Sequence, residues 1–112
     1  MEDALAMLSP DVIYHNFPVP DLIGQEAVRK HQYDAGIGTT LQANWEIVHL
    51  AAVGNVVLNE RIDNFMHANG TILTVPVMGT LTIEEGAITV WRDYFDSASA
   101  AQQYEQLMHS LA

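Results

Sequence analysis

Three short stretches of the chain each carry two noteworthy side chains two positions apart: Tyr14 and Asn16, Arg61 and Asp63, Trp91 and Asp93. A β-strand alternates its side chains with a period of two, so each pair points to one face of its own strand. Strands sharing a sheet could then gather a phenol, an amide, a guanidinium and two carboxylates at one spot. Such a set can hold a water molecule, take its proton and give a proton to something else.

The flanking residues favour this reading over plainer ones. Within Val57–Phe65, the face of Val57, Asn59, Arg61, Asp63 and Phe65 has apolar ends and a polar centre, whereas a solvent face would be polar throughout. A surface ion pair would also account for Arg61 and Asp63, at about 0–1 kcal/mol. Asp93 falls between Trp91 and Phe95 on what should be a core face. The plain alternatives are a rim position for Asp93, core packing for the two aromatics, and a turn role for Asn16 before Pro18. Three such coincidences in one small chain weaken them together.

Other chemistries find little support. His15, His31, His49, His67 and His109 show no spacing of two, three or four, so no metal site is expected. There is no cysteine, which excludes disulfides, thiolate catalysis and Cys-ligated zinc. No Gly-rich phosphate loop precedes a helix and no serine sits in a nucleophile elbow. No cofactor is expected.

The elements that must position these groups follow from periodicity and turn residues. Glu2–Leu8 reads as a short helix stopped before Ser9-Pro10. Asp11–Phe17 reads as a strand, with Val12, Tyr14 and Asn16 on one face, ended by Pro18 and Pro20. Residues 24–35 read as a helix with Ala27, Val28, His31 and Ala35 as its inner stripe. Four strands follow, Leu41–Ala52, Val56–Met66, Thr71–Glu84 and Ala87–Phe95, joined by turns at Gly54-Asn55, Ala68-Asn69-Gly70 and Glu85-Gly86. Pro76 implies an edge, a bend or a bulge. Ser97–Ser110 is a closing helix capped by Asp96 or Ser97. Consecutive antiparallel strands with helices on one side give an α+β fold, a strongly curved sheet wrapping helices into a cone.

At 112 residues and 49% hydrophobic, the chain reads as one domain, residues 1–112. Four basic against fourteen acidic residues give a formal charge of −10. Nucleic acid and anionic lipid would be repelled, so the substrate should be neutral or cationic. No apolar run approaches the roughly 20 residues of a membrane helix. The acidic start Met1-Glu2-Asp3 lacks the basic residues of a secretory signal, which points to the cytoplasm.

Tyr14-His15-Asn16, Glu60-Arg61-Ile62-Asp63 and the run Gly86 to Asp96, in that order, resemble the limonene-1,2-epoxide hydrolase family. That family stands within the nuclear transport factor 2-like and ketosteroid isomerase-like group. The resemblance covers nearly the whole chain from about Asp3. It implies a cone-shaped, cystatin-like roll and a one-step hydrolysis of an epoxide to a vicinal diol, without a covalent intermediate. It implies Asp93 as general base on a water held with Tyr14 and Asn16, Asp63 as general acid, and Arg61 between the two carboxyls. Phe65, Val75, Val77, Trp91 and Phe95 look like lining for a small, neutral, apolar epoxide. A homodimer is expected. The family usually has a longer helix ahead of Glu2–Leu8, so the N-terminal helix is expected to be missing or shortened. An epoxide-opening cyclase or isomerase of the same fold, or a non-catalytic binding domain, stays open as an alternative.

Overall fold

Period-two alternation and two-residue turns set most of the architecture. The computed structural model describes residues 2–17 and 20–111; Pro18, expected to help end the first strand, lies outside them. In chain order the elements are α1 (Glu2–Leu5), β1 (Leu8–Phe17), β2 (Leu22–Ile23), α2 (Gln25–Asp34), β3 (Leu41–Val53), β4 (Val56–His67), β5 (Ile72–Glu84), β6 (Ala87–Phe95) and α3 (Ser97–Ser110). The fold is α+β, with the strands in one curved, unclosed sheet of order β2-β1-β6-β5-β4-β3. β1 runs parallel to β6, and every other pair is antiparallel. At the β5–β6 turn Glu85 and Gly86 both take positive φ, 51° and 79°. That backbone matches the twist of the flanking strands.

Two expectations at the N-terminal end need correction. The first helix covers Glu2–Leu5 rather than reaching Leu8, and β1 already begins at Leu8, so Ser9-Pro10 lie in a strand instead of a stop. The reason is a register shift: β1 advances from Leu8 to Ile13 while β6 advances only from Ile88 to Val90. In that irregular stretch a proline has fewer ladder bonds to break. The two-residue β2 is too short to show in the sequence pattern; Ile13 and Tyr14 pair with its Ile23 and Leu22. In α2, Val28 is buried as expected, but so is Gln32, which the apolar stripe left out.

Pro76 sits on a strand with neighbours on both sides, yet its position is locally an edge. The β5–β6 ladder ends at Val77 and Phe95, and only β4 continues past it, with Ile62 opposite Pro76. Gln103 of α3 takes over the vacated side. Its Nε2 donates to the Thr74 carbonyl at 2.9 Å and its Oε1 accepts from the Thr74 N–H at 2.8 Å. α3 starts on Asp96, whose carboxylate accepts from the Ser99 N–H at 3.1 Å.

Two apolar clusters result. One joins Leu5, Leu8, Val12, Tyr14 and Val28, with Trp91 packed against it. The other joins Leu41, Leu73 and Leu107, with Phe65 against it. The cavity described next is lined by members of both.

Candidate active site

The ladder register brings the chemistry-bearing residues into rows. One row runs Asn16 (β1), Asp93 (β6), Gly79 (β5) and Asn59 (β4). The next runs Phe95, Val77 and Arg61, and Asp63 lies opposite Val75. Tyr14 pairs with Trp91. Directly opposed residues share a face, so these side chains converge over the sheet centre.

Arg61 is the hub. Its Nε and Nη2 donate to the two oxygens of Asp63 at 2.8 and 2.9 Å. Nη1 and Nη2 donate to the two oxygens of Asp93 at 3.1 and 2.8 Å. Nη1 also donates to Asn59 Oδ1 at 3.0 Å. A guanidinium has five N–H bonds, and all five are used, on two bidentate forks and one amide. Arg61, Asp63, Asp93 and Asn59 are all buried, at 9%, 6%, 4% and 5% exposure. Burial works against the Arg61 charge, but the hydrogen bonds to Asp63 and Asp93 outweigh it and raise its pKa further. A surface ion pair, the plain alternative for Arg61 and Asp63, is not what the fold contains.

Tyr14 is buried and stacks on Trp91 with ring centroids 4.3 Å apart and planes at 17°. The ring of His31 meets it edge-on at 6.1 Å. Burial, and next the nearby Asp93 charge, push the phenol well above its ordinary pKa near 10. Tyr14 therefore stays a neutral O–H at physiological pH. The Trp91 indole N–H is buried and has no hydrogen-bond partner among the described residues.

Above these groups lies a cavity of about 350 Å³. All ten residues singled out in the sequence line it: Tyr14, Asn16, Arg61, Asp63, Phe65, Val75, Val77, Trp91, Asp93 and Phe95. Its volume lies at the small end of the range for small-molecule sites. Its charged groups, Arg61, Asp63 and Asp93, stand on the sheet, and the remaining lining is mainly apolar. Among the described residues, no group of three or more His, Cys, Asp or Glu is placed to hold a metal ion. No helix of the described residues is long and apolar enough to cross a membrane.

The model of the limonene-1,2-epoxide hydrolase catalytic domain matches residues 1–106. The chain belongs to the limonene-1,2-epoxide hydrolase family. Solved structures share the fold. An LEH-like epoxide hydrolase of M. tuberculosis superposes with a TM-score of 0.77 at 24% identity, over 98% of this chain and 80% of that one. An NTF2-like protein of unknown function from Burkholderia pseudomallei gives 0.76 at 17%, over 91% and 82%. A putative SnoaL-like polyketide cyclase from Jannaschia gives 0.74 at 12%, over 90% and 76%.

Several lining residues of this limonene-1,2-epoxide hydrolase family member escaped sequence reasoning. Leu73 continues the buried alternation of Val75 and Val77, and extending that period would have found it. Ala100, Ala101 and Tyr104 present one face of α3 at helical spacing. His31 and Gln32 reach the cavity from α2. Trp45 lines it because β3 sets Trp45 opposite Asp63, a register no local pattern reveals. Asn59 was visible as part of the polar centre of β4, but its bond to Arg61 was not.

Proposed function

We propose that residues 1–112 act as one domain that adds water to a small, neutral, apolar epoxide and releases a vicinal diol. The single observation that carries the reading is one buried guanidinium clamping two carboxyls from different strands beneath an apolar cavity. Two ionised carboxylates and one guanidinium leave a net negative charge out of water, which is costly. One proton on the pair cancels it. That state supplies an acid and a base at once, which is what a strained neutral ether needs.

In this reading Asp93 is the base. It removes a proton from a water held by Tyr14 and Asn16 while the water oxygen bonds to one epoxide carbon. The bond between that same carbon and the ring oxygen breaks on the side away from the water, and Asp63 gives its proton to the leaving oxygen. Water and epoxide are consumed, a diol is formed, and the proton now on Asp93 returns to Asp63 before the next cycle. Arg61 holds both carboxyls in place and balances their charge. Phe65, Val75, Val77, Trp91 and Phe95 hold the hydrocarbon part. Holding the water adds rate by removing its orientational freedom. The enzyme works without a cofactor, as a homodimer in the cytoplasm.

The test is diol formation from limonene oxide or cyclohexene oxide. Asp63→Asn and Asp93→Asn should each lower kcat by about 10²–10⁴-fold while keeping the fold. Normal turnover in either folded variant would remove the acid or the base. The SnoaL-like neighbour keeps a cyclase reading in view, in which an internal hydroxyl attacks instead of water. Single turnover in heavy-oxygen water separates the two: label in the product requires water as nucleophile.

A further inference from the structure

Arg61 and Asp93 stand on strands that are not neighbours. β5 lies between β4 and β6, and two strand spacings amount to roughly 10 Å. The guanidinium therefore reaches across β5 to meet the carboxylate. It crosses at Gly79, which pairs with Asp93 on one side and with Asn59 on the other. A Cβ on Gly79 would lie 2.6 Å from Asp93 Oδ1, 3.1 Å from Arg61 Nη1 and 3.2 Å from the Arg92 carbonyl oxygen. The two polar atoms it would strike are the partners of one hydrogen bond, 3.1 Å apart.

Glycine is not needed here for backbone freedom. Gly79 has no positive φ, unlike the turn glycines, and glycine inside a strand costs order and packing. Its neighbours in the buried alternation of β5 are Leu73, Val75 and Val77, so an apolar side chain is the regular choice at this face. The exception falls where the guanidinium passes overhead.

We infer that Gly79 is a positioning residue: its missing side chain is the gap through which Arg61 reaches Asp93. A methyl group there pushes the Asp93 carboxylate aside and leaves the Asp63 fork, on the far side of Arg61, in place. The consequence for catalysis rests on the function proposed above; the consequence for folding does not.

The experiment compares Gly79→Ala in the wild-type and Asp93→Ser backgrounds. In Asp93→Ser the closest clash is gone, and Arg61 keeps Asp63 as a neutral buried pair. Thermal midpoints should fall clearly for Gly79→Ala in the wild type and by at most a third as much in Asp93→Ser. With cyclohexene oxide, Gly79→Ala should lose at least tenfold in kcat with KM changed less than about threefold. Equal midpoint losses in the two backgrounds overturn the proposal, as does a folded Gly79→Ala with unchanged kcat on an active enzyme. If Gly79→Ala alone shows no folding transition, Asp93→Ser must restore one to the double variant; failure to do so also overturns it. If the wild type hydrolyses no epoxide, the function fails while the midpoints still decide the role of Gly79.

Discussion

β5 and β3 are each thirteen residues long, yet β5 buries Leu73, Val75, Val77 and Gly79 in alternation while β3 buries Leu41 alone. Both are rich in apolar residues. The difference lies in what surrounds them. β5 has a strand on each side and α3 tied to it through Gln103. β3 is an edge, covered at its Leu41 end by Leu107 of α3 and exposed beyond. The contrast is sharpest at one cross-strand pair: Arg61 is 9% exposed and Ile47, directly opposite on β3, is 53% exposed. Burial here follows position under the helices and not side-chain polarity. The cationic residue lies inside because two carboxyls and an amide satisfy all of its donors.

The most severe way to break this contrast is Arg61→Met. It leaves Asp63 and Asp93 buried without their partner, and removing one member of a buried ion pair costs about 3–5 kcal/mol. The urea midpoint should fall accordingly, against a total stability on the order of 5–15 kcal/mol. A variant as stable as the wild type would mean that the carboxyls satisfy each other by sharing protons. Leu107→Ala comes next, since Leu107 is 1% exposed and joins α3 to Leu41 and Leu73. A loss of about 2–5 kcal/mol is expected from the transfer and cavity terms. On the other side of the contrast, Ile47→Ser should stay within about 0.5 kcal/mol. A loss above 2 kcal/mol that grows with protein concentration would show that a second copy covers β3 in solution.

Much of this was legible in the sequence, for a physical reason. Period two put Arg61 with Asp63 and Trp91 with Asp93, and the turn residues Ala68-Asn69-Gly70 and Glu85-Gly86 closed the hairpins that set β4 and β6 on either side of β5. What stayed hidden depended on register and on compensation between distant residues. Pro10 reads as a stop until the slip between β1 and β6 shows why a strand can pass through it. Gln32 stands outside the apolar stripe of its helix and yet is buried once α2 is laid on the sheet. Gly79 belongs to none of the sequence motifs, because the Arg61 side chain that needs its space is eighteen residues away on the neighbouring strand.

The gentlest probe of the buried region is its phenol. Burial and the Asp93 charge raise the Tyr14 pKa above its ordinary value near 10. The folded chain therefore holds this proton where the unfolded chain releases it. Below pH 10 both states are protonated and the site adds no pH dependence. Above it the unfolded state binds fewer protons than the folded one, so stability falls as pH rises. Tyr14→Phe has no proton to lose and should show a shallower decline in urea midpoint between pH 10 and 11.5. Parallel declines for Tyr14→Phe and the wild type would place Tyr14 in water, and with it the stack on Trp91 that closes the floor of the cavity.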